Sequence, residues 1–150
     1  MITIKKIDYN YSDGKATCTI ITNDNNKVFI GTAICHEDDF DMESKKTGCM
    51  IAESRAYISL LKSVKKDLKI ELKGMKQLYY SMKHSSKFNP KSYENIMLQR
   101  RIRFLENDLA TVNNEISEGF KNLNNFILDK EMFYKKIRSK RALKAEIEQN

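Results

Sequence analysis

The sequence predicts an α+β chain, with an N-terminal three-stranded antiparallel sheet packed on a helix, followed by long C-terminal helices with a coiled-coil-like seam. Three observations predict it. Short β-branched segments separated by turn residues fill the first 35 positions, the mark of a meander. From Ile51 onward apolar residues recur every three or four positions, which is the helical period. One proline and five glycines in 150 residues leave long stretches uninterrupted and argue against a turn-rich all-β fold or disordered linkers.

The first strand is carried by Ile2, Ile4, Ile7, Tyr9 and Tyr11, whose alternation slips at Lys5–Lys6 and so predicts an irregularity there. Ser12-Asp13-Gly14 is a turn signal, and Lys15–Thr22, KATCTIIT, is a second strand rich in β-branched residues. Asn23-Asp24-Asn25-Asn26 supplies side chains that tolerate left-handed backbone. Val28–Cys35 pairs back as a third strand, with Gly31 marking a bulge or a close approach by another element. Such a sheet needs a helix over one face.

That helix is expected to begin at or near Thr47, after a loop at His36–Lys46. Ile51, Ile58, Leu61, Val64, Leu68, Leu72, Met75, Tyr79 and Met82 give its apolar face. Ala52 and Ala56 are small enough for close approach to the sheet, and Gly74 weakens the middle by up to about 1 kcal/mol. The helix should fail around His84–Pro90, and Pro90 is placed to open the next one. Ile102, Leu105, Leu109, Val112, Ile116, Phe120, Leu123 and Ile127 form a heptad-like seam with one extra four-residue step, prolonged by Phe133 and Ile137. A three-stranded sheet cannot cover so long a helix, so the spare seam packs on the first helix, on a second copy, or on both. The organisation expected is residues 1–88 as sheet plus first helix and 89–150 as second helical segment, one oligomerising domain overall.

A formal charge of +7 attracts phosphates, whether on nucleic acid, a nucleotide or anionic lipid. Cys18, Cys35 and Cys49 form an odd set without CxxC spacing, the pattern of reduced thiols inside a cell. MITIKKIDYNYSDG has no apolar core of a signal peptide, and no run of about eighteen apolar residues exists. A cytoplasmic protein without a membrane partner is the expectation.

Cys35, His36, Glu37, Asp38, Asp39 and Asp41 crowd one loop. Zinc ligands come in separated pairs, and a calcium loop has alternate ligands around a central Gly, so the acidic loop reads better as helix-capping carboxylates. Adjacent Cys–His residues rarely form a nucleophile–base hydrogen bond, and no Gly-rich phosphate loop, GxSxG or HExxH is present. No catalytic residue, metal or cofactor is therefore expected, and the chain reads as a binder. Two zones combine aromatics or cations suited to a ligand. One is the hinge, where Tyr79, Tyr80, His84, Phe88, Asn89 and Tyr93 precede Arg100, Arg101 and Arg103: rings stack on bases, arginines grip phosphates bidentately, and Asn reads a base edge. The other is the basic C-terminal segment Lys130, Lys135, Lys136, Arg138, Lys140, Arg141 and Lys144, either a solvated helix end or a phosphate-binding arm.

At Gly31–Leu61 the residues GTAICHEDDFD…TGCMIAESRA resemble a strand–loop–helix block of small proteins from phages and prophages of Gram-positive bacteria, over about a fifth of the chain. A short sheet followed by long oligomerising helices is similar, within that group, to the first described Thoeris anti-defence family. The resemblance implies a non-enzymatic counter-defence protein in the cytoplasm of an infected host. It would sequester a cyclic nucleotide immune signal of the cyclic ADP-ribose type, or a cyclic oligonucleotide, as a dimer or a multiple of dimers. The expected ligand-binding residues remain those of the hinge.

Two alternatives stand beside it. The meander-plus-helix also resembles half of a double-stranded-RNA-binding domain, which implies a nucleic-acid partner for the basic C-terminal helix. Against that, the loop is acidic where such domains present cations. The other is a coiled-coil protein-interaction module or inhibitor.

Overall fold

The computed structural model describes residues 2–34, 42–85 and 87–149. Three strands, β1 (Ile4–Ser12), β2 (Lys15–Thr22) and β3 (Val28–Ile34), precede two helices, α1 (Met42–Lys83) and α2 (Tyr93–Gln149). The sheet is antiparallel in the order β1-β2-β3, so the α+β class is as expected. The loop containing Cys35–Asp41 lies outside the described residues.

Local chemistry accounts for the meander. The register of β1 on β2 shifts between Ile4 and Lys6, where the apolar alternation slips. Asp13 and Gly14 adopt positive φ at the first turn, as do Asn25 and Asn26 at the second, residues that tolerate the left-handed region. On one face of β2, Ala16, Cys18, Ile20 and Thr22 are buried. Tyr9 and Gly31 flank Cys18 in the ladder, so all three share that face.

Pairing runs unbroken through Gly31, which excludes a bulge and leaves the close approach. A Cβ on Gly31 would collide with the Ala52 carbonyl and the Ala56 amide nitrogen. Ala52 and Ala56 are themselves fully buried. Three small residues thus bring the α1 backbone directly onto β3.

Two expectations about helix starts need correction. α1 begins at Met42 and not near Thr47: Met, Glu and Lys propagate a helix well, so it extends back through the preceding turn. α2 begins at Tyr93 and not at Pro90. Pro90 lies in a turn in which the Ser92 N–H donates to the Asn89 carbonyl at 3.1 Å. Ser92 caps the helix, its Oγ accepting from the Asn95 N–H at 3.3 Å, the N-cap geometry that satisfies an orphan donor.

The chain forms two compact units. Met1–Ser59 and Gly119–Asn150 make one, and Leu60–Glu118 makes the other. In the first, Ile58 packs over Gly119, its Cγ1 lying 3.4 Å from the place a Cβ on Gly119 would occupy. In the second, Leu60, Leu61 and Leu72 of α1 and Leu105 and Ile116 of α2 are buried. Arg101, whose Nε and Nη2 both donate to Glu71 Oε1, and the Lys76–Glu106 pair at 3.1 Å join the two helices there. The seam is therefore largely occupied within the chain, while Phe120 and Phe133 stay exposed.

Candidate functional site

A cavity of about 750 Å³ lies within the first unit, between the end of β3, the early turns of α1 and the later turns of α2. That volume is within the roughly 300–1,000 Å³ range of small-molecule sites. Ala33 and Ile34 of β3 and Gly48 and Ile51 of α1 form apolar walls, with the buried Thr47 beside them. α2 supplies two adjacent rows at four-residue spacing, Ile127–Glu131–Lys135 and Lys130–Tyr134–Arg138. Such spacing keeps side chains on one helical face.

The polar lining is strongly cationic. Arg55, Lys130, Lys135 and Arg138 face one carboxylate, Glu131. Arg55 is anchored to the sheet, its Nη1 donating to the Thr32 carbonyl at 2.7 Å. Arg138 Nε donates to the Tyr134 carbonyl at 3.4 Å. The Lys130 ammonium sits over the Phe126 and Phe133 rings, 5.7 and 5.6 Å from their centroids, a cation–π placement that holds a flexible side chain.

Tyr134 is 9% exposed, and its buried hydroxyl makes no hydrogen bond among the described residues. Its ring is fixed edge-on against Phe133 at 5.4 Å. An unpartnered buried hydroxyl costs about 1–3 kcal/mol. A ligand oxygen seated among these cations would relieve that cost. The arrangement is suited to holding a multiply charged anion and offers it apolar walls as well.

The hinge residues are distributed otherwise, in the second unit. Tyr79 packs edge-on against Phe88 at 6.0 Å, and Tyr80 against His84 at 4.3 Å. The Asn89 Oδ1 accepts from the Lys91 N–H at 3.0 Å and its carbonyl from the Asn95 Nδ2, so Asn89 holds the turn together. Tyr93 is exposed at the start of α2. Arg100 and Arg103 are exposed, about 10 and 15 Å further along the helix axis. The rings form two pairs. Arg101, between Arg100 and Arg103 in sequence, is committed to Glu71 and stacks on Phe104, 5.4 Å from its centroid.

Of the basic C-terminal segment, Lys130, Lys135 and Arg138 line the cavity, while Lys140, Arg141 and Lys144 are exposed. Sequence reasoning missed Arg55, Thr47 and Tyr134. The cation–tyrosine–cation period of four at 130, 134 and 138 was a legible signal for the last. Nothing local marks Arg55, because its role depends on β3.

Among the described residues there is no group of three or more His, Cys, Asp or Glu that could hold a metal, and no helix long and apolar enough to cross a membrane. The fold and the cavity together define an α+β chain with a basic, partly apolar pocket at the base of its helices. Comparison with protein-family models, curated proteins and solved structures finds no match.

Proposed function

We propose that this chain is a non-enzymatic binding protein for a small phosphate-bearing ligand held in the basic pocket. Its narrower identity follows from the resemblance at Gly31–Leu61: a counter-defence protein that sequesters a cyclic nucleotide immune signal of the cyclic ADP-ribose type without cleaving it. The site of action is the cytoplasm of an infected bacterium, and the working form is a homo-oligomer. The observation that carries the reading is a cavity lined by four cations, with Tyr134, whose buried hydroxyl has no hydrogen-bond partner among the described residues, in its wall.

Each charge-assisted hydrogen bond to a phosphate contributes roughly 1.5–3 kcal/mol. Replacing Lys135 and Arg138 together by alanine therefore weakens binding by at least about a hundredfold. Tyr134→Phe separates a ligand role from a packing role. It removes the orphaned hydroxyl and so raises the stability of the free protein, while lowering affinity about threefold to tenfold. Calorimetric titration with cyclic ADP-ribose and with inorganic pyrophosphate measures both variants. Heat denaturation of the loaded protein then releases the signal intact. Release of hydrolysed product, or affinity indifferent to all three substitutions, defeats the reading.

A further inference from the structure

A row of lysines stands apart from the pocket, within the unit Leu60–Glu118. Lys62, Lys66, Lys69, Lys73 and Lys76 follow one another at steps of four, three, four and three residues, which aligns them along one flank of α1. Lys66, Lys69 and Lys73 are exposed, and Lys76 pairs with Glu106 at 3.1 Å. The acids of the same stretch, Asp67 and Glu71, fall on the opposite flank by helical spacing, and Glu71 is tied to Arg101. The row ends at Tyr80, which is 65% exposed and packs edge-on against His84. Lys69, Lys73, Lys76 and Tyr80 line a shallow open groove.

Like charges three and four residues apart repel and weaken a helix. A flank that served solubility alone would interleave lysines with acids and gain helix stability. This one separates the signs at a cost to α1 itself, and it places an exposed aromatic pair at the end of the row.

We infer that this flank of α1 binds single-stranded nucleic acid, the lysine row following the phosphates while Tyr80, backed by His84, stacks on a base. From Lys66 to Tyr80 the row spans about 21 Å. The terminal aromatic pair is what selects a strand with unstacked bases: a duplex keeps its bases stacked on one another, and an anionic membrane has no use for a stacking ring.

Fluorescence anisotropy with a labelled oligothymidylate of about twelve nucleotides provides the test. Three or four neutralised phosphates give a slope of log K on log[salt] of about −2 to −3. The triple variant Lys66→Gln/Lys69→Gln/Lys73→Gln reduces the slope by about 2, and Tyr80→Ala weakens binding about fivefold to a hundredfold at unchanged slope. Glutamine sustains a helix as well as lysine and removes the repulsion, so circular dichroism shows the triple variant folded. That variant retains the pocket's ligand, which lets the two sites fail separately. The inference is overturned by any of three results: no binding at low salt, capture by phosphatidylserine vesicles but not by the oligonucleotide, or equal binding of a duplex with no effect of Tyr80→Ala.

Discussion

Gly31 sits where β3 meets α1, and its missing side chain sets the separation of the two layers. The residue follows ordinary strand pairing, so its need for glycine is one of space and not of backbone conformation. Gly31→Ala would push a methyl group into the Ala52 carbonyl and the Ala56 amide nitrogen, backbone atoms that cannot step aside. Overpacking of this kind costs about 1–3 kcal/mol, and urea denaturation should show at least that loss. Beside it, burial pushes the Cys18 thiol above its ordinary pKa, with the Glu53 carboxylate adding to the effect. Because the folded state holds this proton more tightly, its contribution to stability is complete below the ordinary thiol pKa. It is lost as pH rises through the raised value. In a Cys35→Ser background, Cys49 should react with a thiol reagent in the native protein. Cys18 should react only on unfolding, and rapid native labelling of Cys18 would contradict its burial.

At the scale of elements, α1 and α2 run 42 and 57 residues, and their interiors are governed by helix propensity as much as by packing. Gly74 is exposed, and a Cβ there would meet nothing within 4 Å. Gly74→Ala should therefore stabilise the chain by about 0.5–1 kcal/mol, readable as a rise in the thermal midpoint; a fall would mean that the position serves another purpose. The helix boundaries show where local signals compete. Pro90 and Ser92 both mark a helix start, and the serine prevails. Its hydroxyl satisfies an amide donor, whereas the proline merely tolerates the first turn. The earlier start of α1 was legible in principle from its helix-forming residues, but the acidic loop obscured the boundary.

For the whole molecule, the chain's positive charge has been sorted into distinct regions. One lines the pocket of the first unit, and one runs along α1 in the second. α2 also leaves Phe120, Leu128, Met132 and Phe133 exposed. A single chain that keeps such residues in water is prone to associate. In the proposed oligomeric form, sedimentation equilibrium should report a mass above the 17.5 kDa of one chain. Leu128→Glu/Met132→Glu should bring it down to that value. A monomeric wild type would remove association from the proposal.

Period and turn chemistry sufficed to specify the meander, its irregularity at Lys5–Lys6 and the two long helices, and marked Gly31 as a bulge or a close approach, between which strand pairing decided. These are local properties, written in residues two to four positions apart. The pocket is of another kind. Thr32 and Ile34 on a strand, Arg55 on one helix and Tyr134 on another become neighbours only when the layers pack, and no spacing along the chain encodes that meeting. The hinge gathers aromatics and arginines in sequence; in the fold its rings settle into two pairs and Arg101 is tied to Glu71, pairings that depend on how the turn and the two helices pack. The sequence by itself determined the elements and the sign of the charge. Tertiary packing decided which cations share a cavity, since buried, long-range contacts rather than local propensity bring them together.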